Sequence, residues 1–203
     1  ELFDFLSELS LNNNRDWFNA NKQRYEDSVR EPARAFVRAM GSQLAPISEH
    51  FVTDDRKVGG SLMRIYRDTR FSADKTPYKT NVGIQFRHAA GKDVHAPGYY
   101  LHISVDEMFV GAGMWRPDKE PLKQIRTRIA EESASWEAVL AAPGFAGQWS
   151  LGGDSLKRAP RGFDKEHPLV EELKRNGFAA TKNLTKKLVT SADLPKELAK
   201  AYK

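Results

Sequence analysis

Five cationic side chains within eighteen consecutive residues are the feature of this chain best suited to chemistry. Residues 64–81, called here the basic segment, read RIYRDTRFSADKTPYKTN. Its cations are Arg64, Arg67, Arg70, Lys75 and Lys79. An arginine can hold two oxygens of a carboxylate or phosphate at once, and a lysine adds a point charge. The basic segment therefore predicts an anion-binding site.

The same segment contains two carboxylates, Asp68 and Asp74, which leave a second interpretation open. If they pair with the arginines, the segment is a salt-bridged surface flap. Two acids cannot neutralise five cations, however, so a surplus of three positive charges favours the anion site. Either aspartate could instead be a general base, although orienting an arginine is the default role for an acid beside one.

The positive charge of the chain is concentrated in one window. The 203 residues carry a formal net charge of +5 at pH 7. Residues 56–92 contain nine Lys or Arg against two Asp, which gives +7 and leaves −2 for the rest of the chain. A local excess of this kind concentrates positive potential on one patch and favours an anionic partner.

Two further cations, Arg116 and Arg161, are candidate contributors from other segments. Arg116 lies in GMWRPD, between a predicted strand and a predicted helix, where free N–H groups attract anions. The alternative, which we favour for a single residue, is that it merely lies over Trp115 or caps a sheet edge. Arg161 belongs to the basic run LKRAPRGF, which could form a backbone nest for phosphate or be an ordinary surface loop.

Polar residues also border the apolar face of the predicted second helix. They are Asn14, Arg15, Asn21 and Lys22. This face, which carries Trp17 and Tyr25, could line a cleft. Helix capping by the asparagines and ordinary packing is the interpretation we favour.

His102 is a third catalytic candidate beside the two aspartates. It alternates with Tyr100 and Ser104 on the polar face of a predicted strand, so it could act as an acid or base if that face lines a cleft. A hydrogen-bonded sheet histidine is the alternative. We expect no metal site, because the histidines lack close ligand spacing and there is no cysteine. No motif identifies a cofactor.

The elements that must position these residues follow from the period of the apolar residues. Alternation predicts strands near 61–67, 82–88, 98–105 and 108–115, with Met63, Ile65, Leu101 and Ile103 facing the helices. Helical spacing precedes and follows this region. The sequence predicts one α+β domain over residues 1–203, with a mostly antiparallel sheet, a central meander and helices packed on one face. We also expect the last helix to be cut before its natural end.

Composition indicates where in the cell the protein is expected. No apolar run approaches the ~20 residues of a membrane span, so we expect no membrane partner. The lack of cysteine is compatible with a reducing compartment, and we expect a cytoplasmic location.

Five ordered motifs carry a resemblance to a known family. They are NNNRDWFNANKQRY, RIYRDTRFSADKTPYKTN, PGYYLHIS, GAGMWRPD and LKRAPRGF. In this order, and spanning nearly the whole chain, they resemble domain of unknown function 2461, a set of bacterial and fungal conserved hypothetical proteins. The resemblance implies no particular activity, cofactor or catalytic residue.

Two classes of function remain. The one we favour is an enzyme or binding pocket for an anionic small molecule, a phosphorylated or carboxylated metabolite. The alternative is a module that binds nucleic acid or another polyanion, because aromatic residues interleave with the cations. A protein-interaction scaffold without a ligand is a third interpretation. A polyanion binder should lose affinity steeply with salt, whereas a pocketed small ligand should not.

Overall fold

A computed structural model describes residues 1–91 and 95–203. The helices are α1 (Leu2–Leu11), α2 (Arg15–Ala20), α3 (Lys22–Tyr25), α4 (Glu31–Leu44), α5 (Lys119–Glu131), α6 (Ser133–Ala141), α7 (Val170–Leu173), α8 (Lys186–Val189) and α9 (Leu194–Ala201). A π-helical turn, Glu26–Arg30, joins α3 to α4. The strands are β1 (Asn81–Arg87), β2 (Gly98–Ser104), β3 (Met108–Met114), β4 (Ser150–Leu151) and β5 (Phe178–Asn183).

The five strands form one antiparallel sheet in the order β1-β2-β3-β5-β4. The first three are consecutive in the chain, as expected for strands joined by short connections. The predicted α+β class and central meander are therefore confirmed. Strand β5 was not predicted, and its sequence FAATKN lacks the apolar alternation of the other strands.

The strand predicted over residues 61–67 is wrong as a regular strand. Leu62 forms a single antiparallel bridge with Ile84, and Tyr66 forms another with Tyr78. The segment changes its partner between these two bridges, so no continuous ladder develops. Its alternation still has a consequence, because Ile65 is buried while Arg64 is exposed.

The chain divides into two compact units. Unit 1 comprises Glu1–Ala89, Tyr99–Val110 and Asn183–Lys203. Its core contains Phe5, Leu6, Leu9, Val37, Met40, Ile84, Phe86, Leu101 and Leu198. Helix α4 lies against β1, where the rings of Phe36 and Phe86 are 6.2 Å apart. The predicted core positions Leu101 and Ile103 are buried, and Met63 is partly buried.

Unit 2 comprises Ala90–Gly98 and Gly111–Lys182. Ile129, Leu173 and Phe178 form its core, and Trp136 packs edge-on against Phe178 at 5.7 Å. The expectation of one domain over the whole chain stays a prediction. Within the described ranges, no helix is long and apolar enough to cross a membrane.

Candidate functional site

The basic segment is pinned into a hairpin-like excursion of unit 1. The Arg67 amide donates to the carbonyl oxygen of Pro77 at 2.9 Å, and the Lys79 amide donates to that of Ile65 at 2.7 Å. These bonds flank the bridge between Tyr66 and Tyr78. The part that projects is therefore only half of the basic segment, and it spans residues 68–76.

Asn13 fixes this excursion to the turn between α1 and α2. Its Nδ2 donates to the Tyr78 carbonyl oxygen at 2.9 Å, and its Oδ1 accepts from the Tyr78 amide at 3.0 Å. One side chain thus satisfies both backbone groups of a residue 65 positions away. Next to it, Asn14 caps α2 by accepting from the Trp17 amide at 2.9 Å. The capping role favoured from the sequence is confirmed for Asn14.

Aromatic rings lie beneath the excursion. Tyr78 is buried and stacks on Phe18 with a centroid distance of 4.1 Å. Tyr66 lies 5.4 Å from Tyr78 but stays 50% exposed. Burial raises the pKa of Tyr78, as does Tyr66, whereas the charge of Arg15 opposes that rise. Arg15 and Tyr78 line the same concavity.

These elements enclose an open cleft of about 750 Å³, called here the basic cleft. It is lined by residues 13–15, 19, 66, 67, 69 and 75–78. Three of them are cations, namely Arg15, Arg67 and Lys75. The volume falls in the range of small-molecule sites. Arg15 comes from α2 and the other two come from the basic segment, so the cleft combines two distant parts of the sequence.

Both aspartates of the basic segment are engaged with arginines. Arg67 Nη1 pairs with Asp74 and with the Thr76 hydroxyl. Arg70 pairs with Asp68 through Nε at 2.9 Å and Nη2 at 2.7 Å. Hydrogen bonds from these arginines are the main cause that lowers the pKa of each carboxyl to about 2. The two aspartates are therefore better suited to orienting the arginines than to acting as general bases at neutral pH.

The remaining cations lack such partners. Within residues 1–91 and 95–203, no carboxylate lies within ion-pair distance of Arg15, Arg64, Lys75 or Lys79. Lys75 donates to the Thr69 carbonyl oxygen at 2.8 Å, which leaves its charge uncompensated. Arg67 itself uses only Nη1, so among the described residues its Nε and Nη2 have no acceptor.

Two smaller concavities continue from the basic cleft. The first, the Lys79 pocket, has a volume of about 450 Å³ and shares Asn13, Arg67, Thr76 and Tyr78 with the cleft. The second, the His102 pocket, measures about 350 Å³. It shares Ser10, Thr80 and Asn81 with the Lys79 pocket. The three concavities therefore follow one another along unit 1.

His102 is held by its neighbours within β2 and β3. Its Nδ1 lies 3.2 Å from the Tyr100 hydroxyl, and its ring stacks on Phe109 at 4.7 Å. Burial lowers the pKa of His102, with Glu107 opposing that effect. His102 lines a pocket but is also a hydrogen-bonded sheet histidine, so both sequence interpretations describe part of its setting.

The other predicted site residues lie outside these concavities. Arg64 and Arg70 are exposed and line none of the three. Arg116 and Arg161 belong to unit 2. Arg116 pairs with Asp154 and lies over the Trp115 ring at 5.6 Å. Arg161 lines a separate surface concavity of about 650 Å³.

From the sequence, Arg15 borders a helix face that could line a cleft, but helix capping and ordinary packing are favoured there. The available signal was its place directly after three asparagines, in the same motif as Asn13 and Asn19. Nothing local indicated that Asn13 would bond Tyr78 and so bring Arg15 to the basic segment.

Comparison with known proteins gives a family. A family model described as "Conserved hypothetical protein (DUF2461)" matches residues 1–203. The chain belongs to the DUF2461 family. It matches no curated protein and no solved structure. In this DUF2461 chain, the motif NNNRDWFNANKQRY contributes Asn13, Asn14, Arg15 and Asn19 to the basic cleft, and the motif RIYRDTRFSADKTPYKTN contributes the rest.

Proposed function

We propose that the basic cleft binds a small molecule carrying a phosphate or carboxylate group, and that this molecule is the substrate of an enzyme. One observation carries the proposal: Arg15 and Lys75 line the cleft with no carboxylate partner among the described residues. An incoming anion supplies that partner. Nε and Nη2 of Arg67 add directed donors at the same place.

The proposed site contains fewer cations than the seven predicted from the sequence. Arg15, Arg67 and Lys75 form its centre. Arg64 and Arg70 act on it through their charge only, since they do not line the cleft. Arg116 and Arg161 have their own surroundings in unit 2 and are not needed for binding.

The test is ligand-dependent stabilisation. A ligand that binds only the folded state adds about 2.7 kcal/mol at ~100 times its Kd, and each kcal/mol raises the Tm of a chain of this size by ~2–4 °C. Phosphate, sulfate, citrate and sugar phosphates are compared at ionic strength matched with NaCl, because screening alone relieves repulsion among cations. We expect at least one of these anions to raise the Tm above that of the chloride control.

Matched variants assign the effect to the cleft. Arg15→Ala and Lys75→Ala should abolish the anion-dependent shift while leaving the ligand-free protein folded. Lys57→Ala removes the same charge from an exposed residue outside the cleft, so it should respond like the wild type. If no anion exceeds chloride, or if all three variants respond alike, the basic segment is a surface flap and the proposal fails.

One observation favours the nucleic-acid alternative. Tyr66 lines the cleft beside the cations and is 50% exposed, so a nucleobase could stack on it. Binding of a fluorescent single-stranded oligonucleotide across a NaCl series separates the two functions. A steep loss of affinity with salt, together with weak binding of monomeric anions, would identify a polyanion module.

A further inference from the structure

Lys79 occupies an unusual setting for a lysine. Its side chain is partly buried and lines the Lys79 pocket. Within the part of the chain that the structure describes, its ammonium has neither a hydrogen-bond acceptor nor a carboxylate within bonding distance. Lysines are seldom withdrawn from water without such a partner, because desolvation disfavours the charged form.

The groups around Lys79 increase this effect. Burial is the main cause that lowers its pKa, and the positive charge of Arg64 lowers the pKa further. The acid that lines the pocket, Asp74, is engaged with Arg67 and Thr76. A larger share of Lys79 is therefore neutral at pH 7 than of a fully solvated lysine, and a neutral amine is a nucleophile.

The Lys79 pocket also contains groups that suit a carbonyl compound. The Thr80 hydroxyl and the Asn81 amide can donate hydrogen bonds to a carbonyl oxygen, whereas the Ser10 hydroxyl already donates to the Ser7 carbonyl oxygen at 2.7 Å. Arg67 lines both this pocket and the basic cleft, and its Nε and Nη2 remain available for an anionic group. The pocket thus combines a lysine, a hydroxyl and an amide donor, and a guanidinium within about 450 Å³.

We propose that Lys79 is a nucleophilic amine that forms an imine with an anionic carbonyl compound of the 2-oxo acid class. The amine lone pair forms a C–N bond to the carbonyl carbon as the C=O π electrons move to oxygen. A proton passes from nitrogen to oxygen to give the carbinolamine. Its nitrogen lone pair then forms the C=N bond as the hydroxyl group leaves, and the remaining N–H proton joins that hydroxyl group to give water. No oxidant or reductant is consumed. The expectation that the ligand is an acid rests on the proposed anion site. The reactivity of the Lys79 amine does not depend on that site.

Reductive trapping tests the proposal on the full chain. The protein is incubated at pH 7 with pyruvate and sodium cyanoborohydride, which adds hydride to an imine carbon and leaves a stable secondary amine. Peptide mass spectrometry then locates the adduct. We expect most of the label on Lys79, and nearly complete loss of it in Lys79→Arg, which keeps the positive charge. Lys57→Arg, at an exposed position outside the pockets, should keep the label.

Two comparisons separate the parts of the proposal. Acetone has a methyl group where pyruvate has its carboxylate, so a preference for pyruvate that is greater at Lys79 than at exposed lysines supports an acid ligand held by Arg67. The same preference at Lys79 as at exposed lysines, with Lys79 still labelled most, supports the amine and overturns the acid class. In Arg64→Gln the charge that disfavours the ammonium is gone, so trapping at Lys79 should fall. Labelling of Lys79 no greater than that of exposed lysines overturns the proposal. The anion-dependent Tm shift is a separate test, because it measures anion binding in the basic cleft and not the reactivity of Lys79.

Discussion

At the scale of single residues, the basic segment is organised by pairs between carboxylates and guanidinium groups. Asp74 holds Arg67, and Asp68 holds Arg70. These pairs place Arg67 at the cleft and leave Lys75 uncompensated. The aspartates thus act through the arginines, and the nitrogens left for an anion at the cleft are those of Lys75 and the Nε and Nη2 of Arg67.

The pairs give the stability of the protein a defined acid dependence. The pKa of the Asp68 and Asp74 carboxyls is about 2 in the folded state against 3.8 without these contacts. Because the folded pKa is lowered, the pairs contribute fully above about pH 4, and their contribution is lost as the pH falls through about 2. We expect the free energy of unfolding of Asp74→Asn to fall less steeply than that of the wild type across this window.

Chemical denaturation at successive pH values between about 2 and 7 measures this difference. Asp16→Asn is the matched control, because Asp16 is exposed and lies outside the basic segment. If the Asp74→Asn and wild-type curves are parallel, the Asp74 pair contributes no stability.

Asn13 is the residue on which the shape of the cleft depends most directly. Asn13→Ala removes both of its bonds to the Tyr78 backbone and leaves those groups without their partner. We expect a loss of about 1–3 kcal/mol in urea unfolding, because buried backbone groups are costly to leave unpaired. Asn12→Ala, which removes one exposed bond to Glu8, should cost much less. Equal losses in the two variants would contradict the role of Asn13 as a clamp.

At the scale of elements, the join between β3 and β5 depends on a glycine. Gly113 has φ of 125°, and a Cβ atom there would lie 2.0 Å from the Phe178 carbonyl oxygen. No side chain fits this close approach of two backbones. The pairing that extends the sheet beyond the meander therefore requires glycine at this position.

Gly113→Ala should destabilise the protein by about 3 kcal/mol or more, because backbone strain adds to a steric clash that no side-chain motion relieves. Gly144→Ala is the control, since nothing lies within 4 Å of its added methyl group. Thermal unfolding of both variants measures the difference. A Gly113→Ala variant as stable as Gly144→Ala would show that β3 and β5 do not approach as described.

At the scale of the whole molecule, segments far apart in the sequence complete unit 1. Helix α9 belongs to the same unit as α1, α4, β1 and β2. Tyr202 stacks on Tyr99 at 4.1 Å, and its hydroxyl donates to the Tyr100 carbonyl oxygen at 3.2 Å. These contacts connect residues about a hundred positions apart to the strand that carries His102.

Substitution of Tyr202 should separate packing from hydrogen bonding. Tyr202→Ala should cost about 3–5 kcal/mol because a large buried ring is lost. Tyr202→Phe keeps the ring and should cost only about 1 kcal/mol. Phe71→Ala, at a side chain that is 95% exposed, should be nearly neutral in the same urea titration. Near-equal stability of Tyr202→Ala and Phe71→Ala would mean that α9 adds little to unit 1.

The sequence by itself determined the features that depend on neighbouring residues. Apolar alternation is a property of a few consecutive positions, and it predicted β1, β2 and β3 with Leu101 and Ile103 inside. The sign and location of the charge excess also follow from the sequence, as does the surplus of cations over the two aspartates.

Tertiary structure decided which of those cations share a site. Arg15 reaches the basic cleft because Asn13, two residues before it, bonds the backbone of Tyr78. The same alternation that predicted three strands failed over residues 61–67, where the backbone partner changes from Ile84 to Tyr78. Backbone pairing and side-chain clamps between distant segments leave no short-range pattern, since their energy depends on which groups meet after folding. Local order could therefore be read from the sequence, whereas the membership of the site could not.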